Sequence, residues 1–145
     1  MVCCFRLAGA DKKVNGLHLI ADLYGCQCRP EIMLDRDTLE RICFDECQNA
    51  GLTPLGTYFY QFTHDAGEQA GVTGTVVLAE SHLAIHTWPE TSDVTLDVYV
   101  CNFSRDNSNK ARHIFKRIID QLNPADAVCH DVARGHLPVE QPAAV

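Results

Sequence analysis

The sequence has no run of about 18 apolar residues, the length a helix needs to cross a bilayer. It also has no cluster of lysine and arginine. Its 12 basic side chains against 19 acidic ones leave a formal charge of -7, the wrong sign for gripping phosphates. Membrane and nucleic acid are therefore not expected as partners. No glycine-rich phosphate cradle accompanies Lys12, Lys13, Lys110 or Lys116, so a lysine-anchored pyridoxal phosphate has no seat. No glycine flanks Ser81, which removes the Gly-x-Ser-x-Gly elbow of many serine hydrolases. Leu83 follows His82 where the zinc-protease pattern needs glutamate.

What is present fits one folded unit of 145 residues, 46% hydrophobic and 21% charged, long enough for a single real core. Cysteine is plentiful, at eight residues. The apolar run within Met1–Ala10 is short for a secretion signal, so the expectation is a cytoplasmic protein with reduced thiols. Cys26, Cys28, Cys43 and Cys47 raise zinc as an alternative. They lack the paired Cys-x2-Cys form, however, and Cys43 and Cys47 fall on a helical stripe that needs apolar filling, so no metal is expected.

Periodicity sets out the elements. Residues 1–14 read as a loose arm. Leu17, Leu19, Ala21 and Leu23 alternate with His18, Ile20, Asp22 and Tyr24 as a strand. Asp35 to Asp37 offers N-caps for a helix with Leu39, Ile42, Cys43, Cys47 and Ala50 inward, Glu40, Arg41, Asp45 and Gln48 outward, and Gly51 at its stop. Strands are predicted over 57–62, 72–78, 83–87 and 94–101, with a polar loop over 63–71. In the second strand Tyr58, Tyr60 and Phe62 share one face and Phe59 takes the other, all open to a core role; Gly74 in the third admits a neighbouring backbone. In the last of the four, Val94, Leu96, Val98 and Val100 oppose Thr95, Asp97, Tyr99 and Cys101. A second helix carries Ala111, Ile114, Phe115, Ile118, Ile119 and Leu122 before Asn123-Pro124 ends it. A final strand over 127–133 precedes a proline-containing tail. The expected fold is an α+β two-layer sandwich, a mainly antiparallel sheet with two helices on one face.

The reactive groups concentrate in Glu80-Ser81-His82-Leu83-Ala84-Ile85-His86-Thr87-Trp88-Pro89-Glu90. Ser81 has a hydroxyl beside the Glu80 carbonyl and can attack either an outside carbonyl or its own backbone. This stretch, with Asp97-Val98-Tyr99-Val100-Cys101 after it, resembles the prokaryotic S-adenosylmethionine decarboxylase proenzymes, a pyruvoyl-dependent family. The likeness runs from about Gly16 to the Ala133–Gly135 region.

The resemblance implies that Ser81 attacks the Glu80 carbonyl. The ester formed then eliminates, and the chain divides into a β chain of residues 1–80 and an α chain of residues 81–145 that begins with a pyruvoyl group. Decarboxylation leaves a carbanion that no natural side chain absorbs, and a ketone condensed with the substrate amine can absorb it. By the same resemblance His86 takes the α-proton during processing, Cys101 protonates the product, Glu90 accepts the ribose hydroxyls, Phe62 stacks on adenine, and the protomers pair as a homodimer with active sites at or near the interface. Strand parity sets Ser81 and His86 on opposite faces, so that role requires a backbone turn between them. Thr73 stands where the family carries a serine that aids processing, and Asn102 where a glycine is frequent after the cysteine. Arginine or ornithine as substrate, and an uncleaved, non-catalytic homologue, stand as alternatives.

Overall fold

The computed structural model describes residues 15–135. The arm expected over 1–14 and most of the expected tail lie outside the described residues. In chain order the elements are β1 (Gly16–Tyr24), α1 (Pro30–Leu34), α2 (Arg36–Asn49), β2 (Pro54–Thr63), β3 (Gln69–Leu78), β4 (Ser81–Trp88), β5 (Asp93–Cys101), α3 (Ser108–Leu122) and β6 (Asp126–Arg134). The strands form one antiparallel sheet in the order β2-β3-β4-β5-β1-β6.

Alternation gives the sheet two unlike faces. Leu19, Ala21, Leu23, Val76, Leu83, Ile85, Leu96 and Val98 turn one way, each at most 1% exposed, and share a core with Leu39, Cys43 and Cys47 of α2 and with Ala111, Ile114, Ile118 and Leu122 of α3. Each of the larger side chains contributes about 1.5–3 kcal/mol by leaving water. Cys43 and Cys47 are wholly buried on α2. Desolvation pushes the Cys43 thiol well above its ordinary pKa and the Cys47 thiol up to about 12, as expected of packing groups. Among the described residues the opposite face carries no helix: α1, α2 and α3 bury their apolar residues in the single core.

Helix ends follow local chemistry. The Asp35 carboxylate accepts from Asp37 N and caps α2, and the resulting hydrogen bonds from Thr38 and Asp37 lower its pKa. Gly51 (φ 77°) follows the C-cap of α2, and Asn123 (φ 47°) closes α3 in the left-handed conformation.

Several expectations change. A third helix, α1, precedes α2. Its five residues are too few to show a helical period, but Pro30 at its start and buried Ile32 and Met33 define it. The loop expected over 63–71 shrinks to 64–68, because β2 and β3 continue through polar residues that pair by backbone alone. Gly74 receives a ring rather than a backbone: a Cβ there would lie 2.1 Å from Cδ1 of Phe59, its cross-strand partner. Phe59 is buried, whereas Tyr58, Tyr60 and Phe62 lie on the open face, 47–69% exposed, so they are not core. Glu40 is half-buried and accepts from the Thr57 hydroxyl. Among the described residues no helix is long and apolar enough to cross a membrane.

Candidate active site

The β3–β4 hairpin turns in two residues, Ala79 and Glu80, between paired Leu78 and Ser81. Glu80 holds φ 61°, a left-handed conformation that costs a residue with a Cβ on the order of 1 kcal/mol. The Glu80–Ser81 bond therefore sits at an exposed, tightly turned chain end. Ala79 N donates to Thr53 O (3.0 Å) and fixes that end against the entry to β2. Ser81 Oγ accepts from Cys101 N at 3.2 Å, which sets the hydroxyl beside the last residue of β5. Cys101 is 9% exposed. Asn102 organises the loop that follows: its side chain accepts from Asn107 N (2.8 Å) and donates to Ser108 Oγ (3.0 Å), while Asn107 Nδ2 donates to Cys101 O (3.3 Å). The residue standing in place of a glycine thus ties Cys101 to the start of α3.

A second group lies toward the other end of β4. Phe62, Thr73, His86, Trp88 and Glu90 line a cavity of about 340 Å³, together with Ala70–Val72 and Thr87. Thr73 Oγ1 lies 2.5 Å from His86 Nδ1, and the His86 and Trp88 ring centroids are 6.2 Å apart. Two features of the cavity wall were not read from the sequence. Phe62 occupies a register shift between Gln61 and Thr63, and the Gln61 amide fills it by donating to Ala70 O at 2.9 Å. Gly71 is required because a Cβ there would lie 2.1 Å from Thr87 O. A polar glutamine at the end of a predicted strand and a glycine at the end of a predicted loop were the available signals. Thr87 is buried but satisfied: Val72 N donates to its hydroxyl, which donates to Met33 O, both at 2.8 Å.

β4 runs without a break from Ser81 to Trp88, so the expected turn between Ser81 and His86 is absent. Five residues of strand separate them by about 16 Å, on opposite faces. The fold brings Ser81, Glu80 and Cys101 together, and it brings Phe62, Thr73, His86 and Glu90 together. It does not join the two groups within one chain. Between them on the open face lie His18, His82, Tyr99 and Asp97, with His18 Nε2 3.4 Å from Asp97 Oδ1 and the Arg134 guanidinium 4.8 Å over the Tyr99 ring.

Comparison with known proteins gives the chain a family. Residues 17–135 match the family model described as S-adenosylmethionine decarboxylase. The chain is 40% identical over 113 residues to the S-adenosylmethionine decarboxylase proenzyme of Aquifex aeolicus, covering 77% of this chain and 75% of that one. It is 38% identical over 124 residues to the proenzyme of the same name from Picrophilus torridus, covering 86% and 87%. The crystal structure of the Aquifex aeolicus adenosylmethionine decarboxylase superposes with a TM-score of 0.73 at 34% identity, covering 90% of this chain and 98% of that one. With the family model matched over residues 17–135 and relatives 38–40% identical over most of its length, this protein belongs to the S-adenosylmethionine decarboxylase family.

Proposed function

We propose that the protein is a self-cleaving, pyruvoyl-dependent decarboxylase of S-adenosylmethionine whose product is the aminopropyl donor for polyamine synthesis. The observation that carries this reading is that Phe62 of β2, Thr73 of β3, His86 of β4 and Glu90 of the turn after it line one cavity of a size suited to a small ligand. An aromatic ring for adenine and a carboxylate able to accept from a vicinal diol favour a nucleoside-bearing substrate over arginine or ornithine.

The chain's residues fit maturation at Ser81. Its hydroxyl attacks the Glu80 carbonyl, at a bond already bent by the left-handed turn, and an ester replaces the peptide bond. Imidazole near neutral pH suits His86 to take the Ser81 α-proton in the elimination that follows, and Thr73 Oγ1, on His86 Nδ1, orients the ring. The products are residues 1–80 and residues 81–145, the latter beginning with a ketone that supplies the electron sink absent from side chains. Cys101, beside that terminus, is placed to return a proton to the product carbon, and its burial keeps bulk water from doing so instead.

His86 reaches Ser81 only from a second copy. A two-fold pairing that sets the start of one β4 against the end of the other completes two sites at once. The helix-free face is suited to that contact, since Tyr58, Tyr60, Val77, Trp88, Val128 and Val132 are all exposed on it, each by 41% or more.

Intact mass spectrometry of the purified protein beside Ser81→Ala tests the proposal. The expected result is two fragments divided between Glu80 and Ser81, the second lighter than a serine-started fragment by one ammonia, and neither present in the variant. A parent chain that stays whole after prolonged incubation overturns it.

A further inference from the structure

A separate cavity of about 360 Å³ lies against the hairpin end opposite the ligand cavity, lined by Ala79, Glu80, Thr53, Arg105, Asn107 and Lys110 among others. Two of these are cations, in a chain whose acidic side chains outnumber its basic ones by 19 to 12. Neither is in an ion pair among the described residues: Lys110 Nζ donates to the Gly51 carbonyl at 2.9 Å, a neutral acceptor, and Arg105 sits exposed in the loop that Asn102 and Asn107 fix. Lys110 is half-buried in the first turn of α3, so its position is set by the helix. Among the described residues, the only carboxylate on the cavity wall belongs to Glu80.

Self-cleavage, if it proceeds as proposed above, creates a second carboxylate at that residue. In the first step the Ser81 Oγ–Glu80 carbon bond forms and the Glu80–Ser81 peptide C–N bond breaks, giving an ester and a free amine. In the second step a base takes the Ser81 α-proton, a carbon–carbon double bond forms, the Ser81 Cβ–Oγ bond breaks, and the electron pair departs on the Glu80 main-chain carboxylate. Tautomerisation and water then release ammonia. Glu80 is thus the leaving group, and its negative charge develops where Arg105 and Lys110 face the cavity. Two cations then match two carboxylates, one from the side chain and one from the new chain end.

We propose that Arg105 and Lys110 form an anion site for the Glu80 main-chain carboxylate, which assists its departure in the elimination step and afterwards holds the new C-terminus away from the ketone. The inference rests on the self-cleavage reading but concerns its second half. Asn107 lines the same cavity and its amide holds the Cys101 carbonyl, so loop, cation and cleavage end are parts of one framework.

The test is the processing of freshly purified full-length chain, followed by mass with and without neutral hydroxylamine, which converts an ester to a hydroxamate. Arg105→Met/Lys110→Met should process on the order of tenfold more slowly or worse and should accumulate chain that hydroxylamine splits into a Glu80 hydroxamate and a serine-started fragment. Arg105→Lys/Lys110→Arg, which keeps both charges, should process within about twofold of the parent. Processing of the methionine variant at the parent's rate overturns the proposal. So does slow processing without a hydroxylamine-labile bond, which marks a loss of hairpin geometry before the ester forms. A parent chain that never cleaves fails the self-cleavage reading itself, and that failure is visible before any variant is compared.

Discussion

His82 shows how one residue of the motif reads differently in sequence and in place. In the sequence it is a motif residue flanking Ser81; in the fold it packs at 5.9 Å from His18 and 5.5 Å from Tyr99 on the open face. Desolvation first, then the charge His18 acquires and the Arg134 guanidinium, hold its pKa below the ordinary 6.5, with Asp97 opposing. The folded chain therefore accepts this proton less readily than the unfolded chain. Above about pH 6.5 both forms are neutral and the contribution to stability is complete; as pH falls through that value toward the lower folded pKa, the contribution is lost. In the uncleavable Ser81→Ala background, the urea midpoint should fall further between about pH 7 and pH 5.5 than in the same chain with His82→Gln. Equal falls would show that His82 does not carry this loss. Ser81, Cys101 and His86 were singled out through the resemblance carried by the motif around them. The left-handed φ of Glu80 was not, since nothing in its composition signals a hairpin of two residues.

At the scale of elements, strand parity and helix stripes were legible wherever one face is apolar, and boundaries failed where pairing rests on backbone alone. The polar stretch 63–71 divided into the end of β2, a short turn and the start of β3, and α1 was too short to show a period. The α2–α3 contact was also hidden. Glu46 lies on the buried side of α2, where an acidic residue in a sequence pattern is assigned to solvent. Arg117 Nη2 reaches Glu46 Oε1 at 3.2 Å and Arg117 Nε reaches Oε2 at 3.4 Å, while Gln121 Nε2 donates to Oε1 at 2.8 Å. Removing that acceptor leaves two α3 donors unpaired at the helix contact. Arg117 is about half exposed and turns to water, so the cost falls toward the lower end for charged hydrogen bonds. Glu46→Ala should lower the unfolding free energy by about 1–2 kcal/mol in a urea titration, with the parent's rate of cleavage kept in native buffer. No loss of stability would mean that the helices are held by their apolar faces alone.

For the whole molecule, the most informative sequence observation was a conflict. Parity placed Ser81 and His86 on opposite faces of one strand, and the resemblance required them to act together. A backbone turn would have resolved this within the chain, but β4 is unbroken, and the proposal answers the conflict with a second copy. Sequence patterns report intrachain periods and do not encode which surface meets its twin, so a site shared between copies, as proposed, shows in the sequence only as a contradiction. If the two halves come from different chains, two inactive variants should complement each other. Ser81→Ala keeps the His86 half and lacks the nucleophile; His86→Ala keeps Ser81 and lacks the base. Each alone should stay whole. Co-expressed in equal amounts and pairing at random, about half of the His86→Ala chains meet a Ser81→Ala partner. Those chains should be cleaved between Glu80 and Ser81, and the Ser81→Ala chains should never be. Cleavage confined to one chain, in a fraction set by mixing, is not produced by a site contained within a single protomer. A mixture that stays whole, beside a parent that cleaves, would place the base elsewhere in the same chain, where His18 and His82 are among the imidazoles on the face that Cys101 shares.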